Sequence, residues 1–325
     1  MEASVRTHDT LNRRLRDRRS PRGTRITPQQ RDLVWFEMLH RHGPLSSTYL
    51  HEFTAHLCKS AKRTRERLKN LYNESNTPHG GPYLERPWRQ FETLDPRRND
   101  LVYDLTERAE QALRDHGLFR AGTPRPSGAW KHSFMVSTIT AALHLESLKS
   151  SSLRFIFQDE IVPAGKTLRT VVPLRDPRTG RTEERALMPD AIFGIEYTVK
   201  KEKLYLLFAL EADRNHEPNR AATFNRKSYA RTILQYREYL GRSLYKTHLG
   251  RKCGMLVLNV TTNLTHLHNI LSLVNELTDN RGLSYLLFKT VPQFGGLFRP
   301  PKLLPELLHL PWQRPGYEPL CITRA

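Results

Sequence analysis

The sequence predicts a mixed α/β protein, α+β overall, with a mostly helical front part and a strand-bearing second part. Three observations predict it. Residues 27–120 carry helix punctuation and helical spacing with a single hairpin. Residues 129–290 read as helix, several strands, helix, strand, helix, strand. The breaker run AGTPRPSG, Ala121–Gly128, separates the two. Residues 1–26 form an arginine-rich arm, expected to be disordered in isolation. Residues 291–325 carry seven prolines and Leu-rich fragments, and are expected to wrap the second domain.

In the front part, Thr27-Pro28-Gln29-Gln30 opens a helix with a hydroxyl cap, proline at the first helical position and glutamine at the capping-box position. Leu33, Phe36, Leu39 and His40 recur at helical spacing until Gly43-Pro44. A short helix follows Ser46-Ser47. A third, SAKRTRERLKNLY from about Ser60 to Tyr72, gathers Ala61, Thr64, Leu68, Leu71 and Tyr72 on one face. Lys62, Arg63, Arg65, Arg67 and Lys69 take the remainder. Tyr83-Leu84 and Leu101–Tyr103 read as two strands joined by a loop with Arg89, Arg97 and Arg98, and Thr106 caps a fourth helix with an acidic first turn. Three helices, a basic hairpin and a closing helix describe a winged helix-turn-helix. Its third helix would enter the major groove of double-stranded DNA, with the loop arginines on phosphates.

Charge points the same way. The chain has 325 residues, 26% charged and 38% hydrophobic, and a formal net charge of +19. Such self-repulsion is relieved by a polyanionic partner, nucleic acid first. No run approaches the roughly 18–20 apolar residues of a membrane helix, and the first residues lack the apolar core of a secretory signal. Cys58, Cys253 and Cys321 are far apart with no CxxC pair, which argues against a zinc site or disulfide framework and fits a cytoplasmic, nucleoid-associated protein. The pairs His40/His42 and His266/His268 fall in or beside helical stretches, where residues two apart do not face each other. They are read as surface or scattered core histidines.

The stretch MPDAIFGIEYTVKKEKLYLLFALEADR, Met188–Arg214, raises a different question. A hairpin turning between Lys200 and Lys201 places Asp190 opposite Glu211, and the strand period puts Asp213 on the face of Glu211. Carboxylates gathered at the end of an apolar strand pair need neutralising. A divalent cation, protonation of one acid, or nearby basic side chains would each serve.

Met188-Pro189-Asp190 followed by Leu210-Glu211-Ala212-Asp213 resembles the PD-(D/E)XK nuclease motif. A helix at His132–Lys149, strands near Leu168–Val172, Leu187–Val199 and Lys203–Glu211, a helix at Ala221–Tyr245 and a strand at Met255–Val260 follow that superfamily's αβββαβ, restriction-endonuclease-like order. Within it the chain is similar to the replication-relaxation proteins of plasmids and integrative elements, which pair a winged helix with such a domain. LVYDLTERAEQAL, WKHSFMVSTITAAL and PDAIF…FALEADRNHE carry the likeness, over roughly residues 27–260. Where the superfamily has a lysine, this chain has Asp213. Lys227 is the candidate to replace it from the following helix, and Gln235-x-x-x-Tyr239 matches a motif of some relatives. The family pattern of an acid followed by Arg-Gly-Thr-Glu is kept at Arg214 and Glu217, with Asn215 and His216 between.

The resemblance implies an accessory or regulatory DNA-binding protein of a mobile element, with a nuclease-like domain that is weak or inactive. A relaxase, a replication protein or a second copy of the chain is its candidate partner on DNA. The alternative is a metal-dependent DNA endonuclease in which Asp190, Glu211 and Asp213 hold Mg²⁺ or Mn²⁺ and Lys227 serves the water. His132, Tyr229, Tyr236 and Tyr239 are expected to pack or line a groove, and Trp312 to fill a surface hollow.

Overall fold

The computed structural model describes residues 15–75, 80–93, 98–121, 128–163, 165–176, 179–214, 217–221 and 226–324. The chain divides into two compact units, Met1–Ala121 with Leu297–Leu303, and Gly122–Gly296 with Leu304–Ala325.

In the first unit the chain forms α1 (Gln30–His42), β1 (Leu45–Ser46), α2 (Ser47–Phe53), α3 (Ala61–Asn73), β2 (Leu84–Glu85), β3 (Val102–Leu105) and α4 (Glu107–Asp115). The strands make an antiparallel sheet in the order β1-β3-β2. Its core is Trp35, Phe36, Leu39, Leu50, Leu68, Leu71 and Leu113, all fully buried. The face expected of the third helix is the buried one: Thr64, Leu68, Leu71 and Tyr72 point inward. Ser60 caps α3 by accepting from the Arg63 amide. The cap of α1 lies two residues later than the sequence suggests. The Gln29 amide donates to Asp32 at 2.8 Å, and Arg67 binds the same carboxylate. The Thr106 hydroxyl donates to the Pro82 and Tyr83 carbonyls, tying α4 to the start of β2.

The described part of the basic arm, expected to be free, is docked along the end of α3. Buried Glu74 accepts the Arg22 and Thr24 amides, Asn73 accepts the Ser20 amide, and the Tyr72 hydroxyl donates to the Asp17 carbonyl. One internal carboxylate thus anchors a segment that composition alone marks as unstructured.

The second unit contains α5 (Trp130–Leu148), β4 (Leu153–Ile156), α6 (Gln158–Ile161), β5 (Thr170–Arg175), β6 (Thr182–Leu187), β7 (Ala191–Val199) and β8 (Glu202–Asp213). It continues with α7 (Tyr229–Gly241), α8 (Leu244–Leu249), β9 (Gly254–Thr261), α9 (Leu264–Leu277), β10 (Leu286–Thr290), α10 (Glu306–His309), β11 (Trp312–Arg314) and β12 (Tyr317–Leu320). Seven strands form one sheet in the order β12-β11-β10-β9-β8-β7-β4. β8, β9 and β10 run parallel, as helical crossovers require, and the remaining pairs are antiparallel.

The β7–β8 hairpin has the expected register, from Ala191 opposite Leu210 to Val199 opposite Glu202. Lys200 and Lys201 both take positive φ, 48° and 73°, as a two-residue turn matched to the strand twist demands. Phe155, Phe193 and Phe208 stack across β4, β7 and β8 with centroids 5.2 and 5.1 Å apart. Two expectations change. The strand near Leu168–Val172 belongs to a separate ribbon, β5 with β6, and the edge place beside β7 goes to β4, a four-residue strand too short to stand out in sequence. Residues 291–325 also do more than wrap. They supply β11 and β12 to the sheet, and Trp312 is fully buried with its indole N–H on the Leu307 carbonyl.

Candidate functional site

The acids meet at the end of β8. Asp190 immediately precedes β7, its amide bonded to the Leu210 carbonyl. Its Oδ2 accepts the Ala212 amide at 2.8 Å, and its Oδ1 lies 3.0 Å from Nε2 of His132 in the first turn of α5. That hydrogen bond, working against burial, holds the His132 imidazole above its ordinary value. Glu211 is buried, and Tyr236 of α7 donates its hydroxyl to Oε1 at 2.5 Å. Burial, and then the charge of Asp190, push the Glu211 carboxyl well above the usual range, toward its neutral form.

Lys227 extends toward the same acids. Its Nζ lies 2.9 Å from Oε2 of Glu217. Burial draws its ammonium down, but the charges of Glu211, Glu217 and Asp190 outweigh this and hold it above its ordinary value. Asp213 turns to another partner: its Oδ2 lies 2.7 Å from Nε2 of His266, in the first turn of α9. The Tyr229 ring packs edge-on against His266, 5.7 Å between centroids. The buried Tyr229 hydroxyl has no hydrogen-bond partner among the described residues.

The site is therefore two linked groups rather than three converging ligands. Among the described residues no three His, Cys, Asp or Glu side chains stand together closely enough to hold a metal ion. Asp190 and Glu211 alone would supply the one or two carboxylates that a hard cation takes from protein. Yet both Asp190 oxygens and Oε1 of Glu211 already have protein partners, and Asp213 is committed to His266. The donor set does not fit the expected three-carboxylate cation site.

The acids stand out in the sequence, but their partners do not. His266 and His268 do not act as a pair, as the helical spacing implies, since His268 is exposed. His266 alone reaches Asp213. His132, expected to pack, bonds Asp190. Gln235 and Tyr239 do not reach the acids: Gln235 donates to the Ala186 carbonyl, and the Tyr239 hydroxyl pairs with Nδ1 of His248 at 2.7 Å. Tyr236, beside Gln235 on α7, bonds Glu211 instead.

In the first unit Lys62, Arg63 and Arg65 are exposed on α3, and Lys69 is half-buried. Arg67 is occupied elsewhere, with its guanidinium on the buried Asp32 and on the Thr27 carbonyl. Arg98 is exposed, and Arg89 is exposed above the ring of Trp88. Arg97 lies outside the described residues.

Residues 36–251 match the Replication-relaxation family. The chain belongs to that family. Comparison with curated proteins and with solved structures gave no match. Membership in the Replication-relaxation family points to a role in the replication or relaxation of a plasmid or mobile element. No described helix of this family member is long and apolar enough to cross a membrane.

Proposed function

We propose that the protein is a double-stranded DNA-binding accessory protein of a mobile element, in which the first unit is a winged helix-turn-helix and the second a nuclease-like scaffold with little or no activity. The observation that carries this is the exposed cationic face of α3, with Lys62, Arg63 and Arg65, in a unit that combines the four helices α1–α4 with a three-stranded sheet. In that arrangement α3 lies in the major groove while Arg89 and Arg98 reach phosphates. A relaxase, a replication protein or a second copy of the chain would then be recruited on the duplex.

The strand order β4-β7-β8-β9, with β8 and β9 parallel, supports a PD-(D/E)XK-like ancestry for the second unit. Burial favours the neutral form of Glu211, and His132, Lys227 and His266 lie beside Asp190, Glu217 and Asp213. This favours a scaffold over a catalyst. The second reading, a Mg²⁺- or Mn²⁺-dependent endonuclease, is favoured by the electrostatic coupling of Asp190, Glu211 and Lys227. There Asp190 and Glu211 would hold the cation and Lys227 would stand for the absent lysine.

Fluorescence anisotropy with duplex DNA tests the first reading. Arg63→Ala with Arg65→Ala should weaken binding. The slope of log K against log salt should fall by about 1 for each arginine that no longer meets a phosphate. Unchanged affinity would remove α3 from the interface.

A further inference from the structure

The first unit contains a basic pocket that neither α3 nor the wing makes alone. It has a volume of about 400 Å³ and is lined by Arg65 and Lys69 of α3, Arg86 just after β2, Arg98 and Asp100 before β3, and Arg16 of the docked arm. Five cations thus face one carboxylate. That carboxylate is already engaged, with the Thr48 hydroxyl donating to Oδ2 of Asp100 at 2.5 Å and the Ser47 hydroxyl to Oδ1 at 3.4 Å.

Two of the cations, Arg86 and Arg16, are fixed by the surrounding structure. The Arg86 guanidinium lies 3.9 Å from the centre of the Tyr72 ring, and it donates to the Arg16 carbonyl at 2.8 Å and to the Tyr103 hydroxyl at 3.1 Å. Arg16 in turn donates to the Asn99 carbonyl at 2.9 Å. Burial, and then the nearby Arg86 charge, hold the Arg16 guanidinium below its ordinary value. Like charges kept this close in a partly desolvated pocket favour an anion between them. Guanidinium groups in a fixed fork suit the oxygens of phosphate.

We propose that this pocket binds a phosphate group and that the docked arm completes it through Arg16. On a duplex the group would be a backbone phosphate beside the groove that α3 occupies, an assignment that rests on the DNA-binding reading above. A terminal or free phosphate is the other source of the same chemistry.

Two measurements on the full chain separate these cases. The first is thermal unfolding in inorganic phosphate against chloride at equal ionic strength, for the wild type, Arg16→Ala, Arg65→Ala and the control Arg237→Ala, an exposed arginine of α7. Phosphate should raise the wild-type and Arg237→Ala midpoints, and the rise should shrink in the two pocket variants. The second is the salt dependence of duplex binding. Arg16→Ala and Arg65→Ala should each lower the slope by about 1, with Arg237→Ala unchanged. Phosphate stabilisation with unchanged slopes keeps the pocket and assigns it a free or terminal phosphate. If the wild type binds no duplex but phosphate still stabilises it through Arg16 and Arg65, the DNA-binding reading fails and the pocket stands. No phosphate effect and no change in slope would overturn the proposal.

Discussion

Asp32→Ala is expected to destabilise the first unit by about 3–5 kcal/mol, the cost of leaving a buried charge without its partner. Asp32 is wholly buried. It accepts two bonds from Nε of Arg67 at 3.2 and 3.1 Å, one from Nη2 at 2.5 Å, and the Gln29 amide at 2.8 Å. Its removal strands a largely buried guanidinium and uncaps α1 in one step. Chemical unfolding followed at Trp35, which packs beneath Arg31 in the same helix, measures the loss. Arg63→Ala is the informative contrast. Its side chain is exposed on α3, so stability should change by no more than about 0.5 kcal/mol while duplex affinity falls. Equal stability losses in the two variants would mean that the Asp32–Arg67 ion pair does not hold the first unit together.

Glu211→Gln should change the pH dependence of the second unit. The unfolded chain releases the Glu211 proton near the ordinary value of 4.5, whereas burial and Asp190 keep it on in the folded protein. A folded value raised above the unfolded one gives a contribution that is complete at low pH and declines as pH rises toward the folded value. The limit is about 1.4 kcal/mol per pH unit. Glutamine has no proton to lose and can still accept from Tyr236. The variant should therefore match the wild type near pH 4, have a flatter stability curve above pH 5, and be the more stable protein at pH 8. His132, also raised, adds a smaller decline above its ordinary value of 6.5, and this should persist in Glu211→Gln. Parallel curves for wild type and variant from pH 4 to 8 would show that Glu211 holds its proton no more tightly in the folded protein than in the unfolded chain.

What was legible in sequence, and what was not, follows from the range of the interactions. The hairpin register could be read because a two-residue turn and a period of two leave little freedom between Asp190 and Glu211. The faces of α3 could be read because helical spacing is local. β4 could not, since Leu153–Ile156 is four residues long and follows closely on α5. The docking of the arm depends on Glu74, which is 52 residues from Arg22 in sequence, and nothing near Arg22 marks it. The acids announced themselves by clustering at strand ends. Their partners His132, Tyr236 and His266 come from the starts and faces of three separate helices, brought together only by packing on the sheet. Arg67 shows the converse: on the helix surface it is one more cation, and only Asp32 reveals that it is structural.

On the DNA-binding reading proposed above, an acid cluster balanced from within predicts a protein that holds duplex DNA without cutting it. The direct test is incubation of the purified protein with supercoiled plasmid and Mg²⁺ or Mn²⁺, beside Asp190→Ala and Glu211→Ala. All three proteins should retard the plasmid and leave it supercoiled. Metal-dependent nicking by the wild type that disappears in both variants would mean that the acids are a working cation site after all.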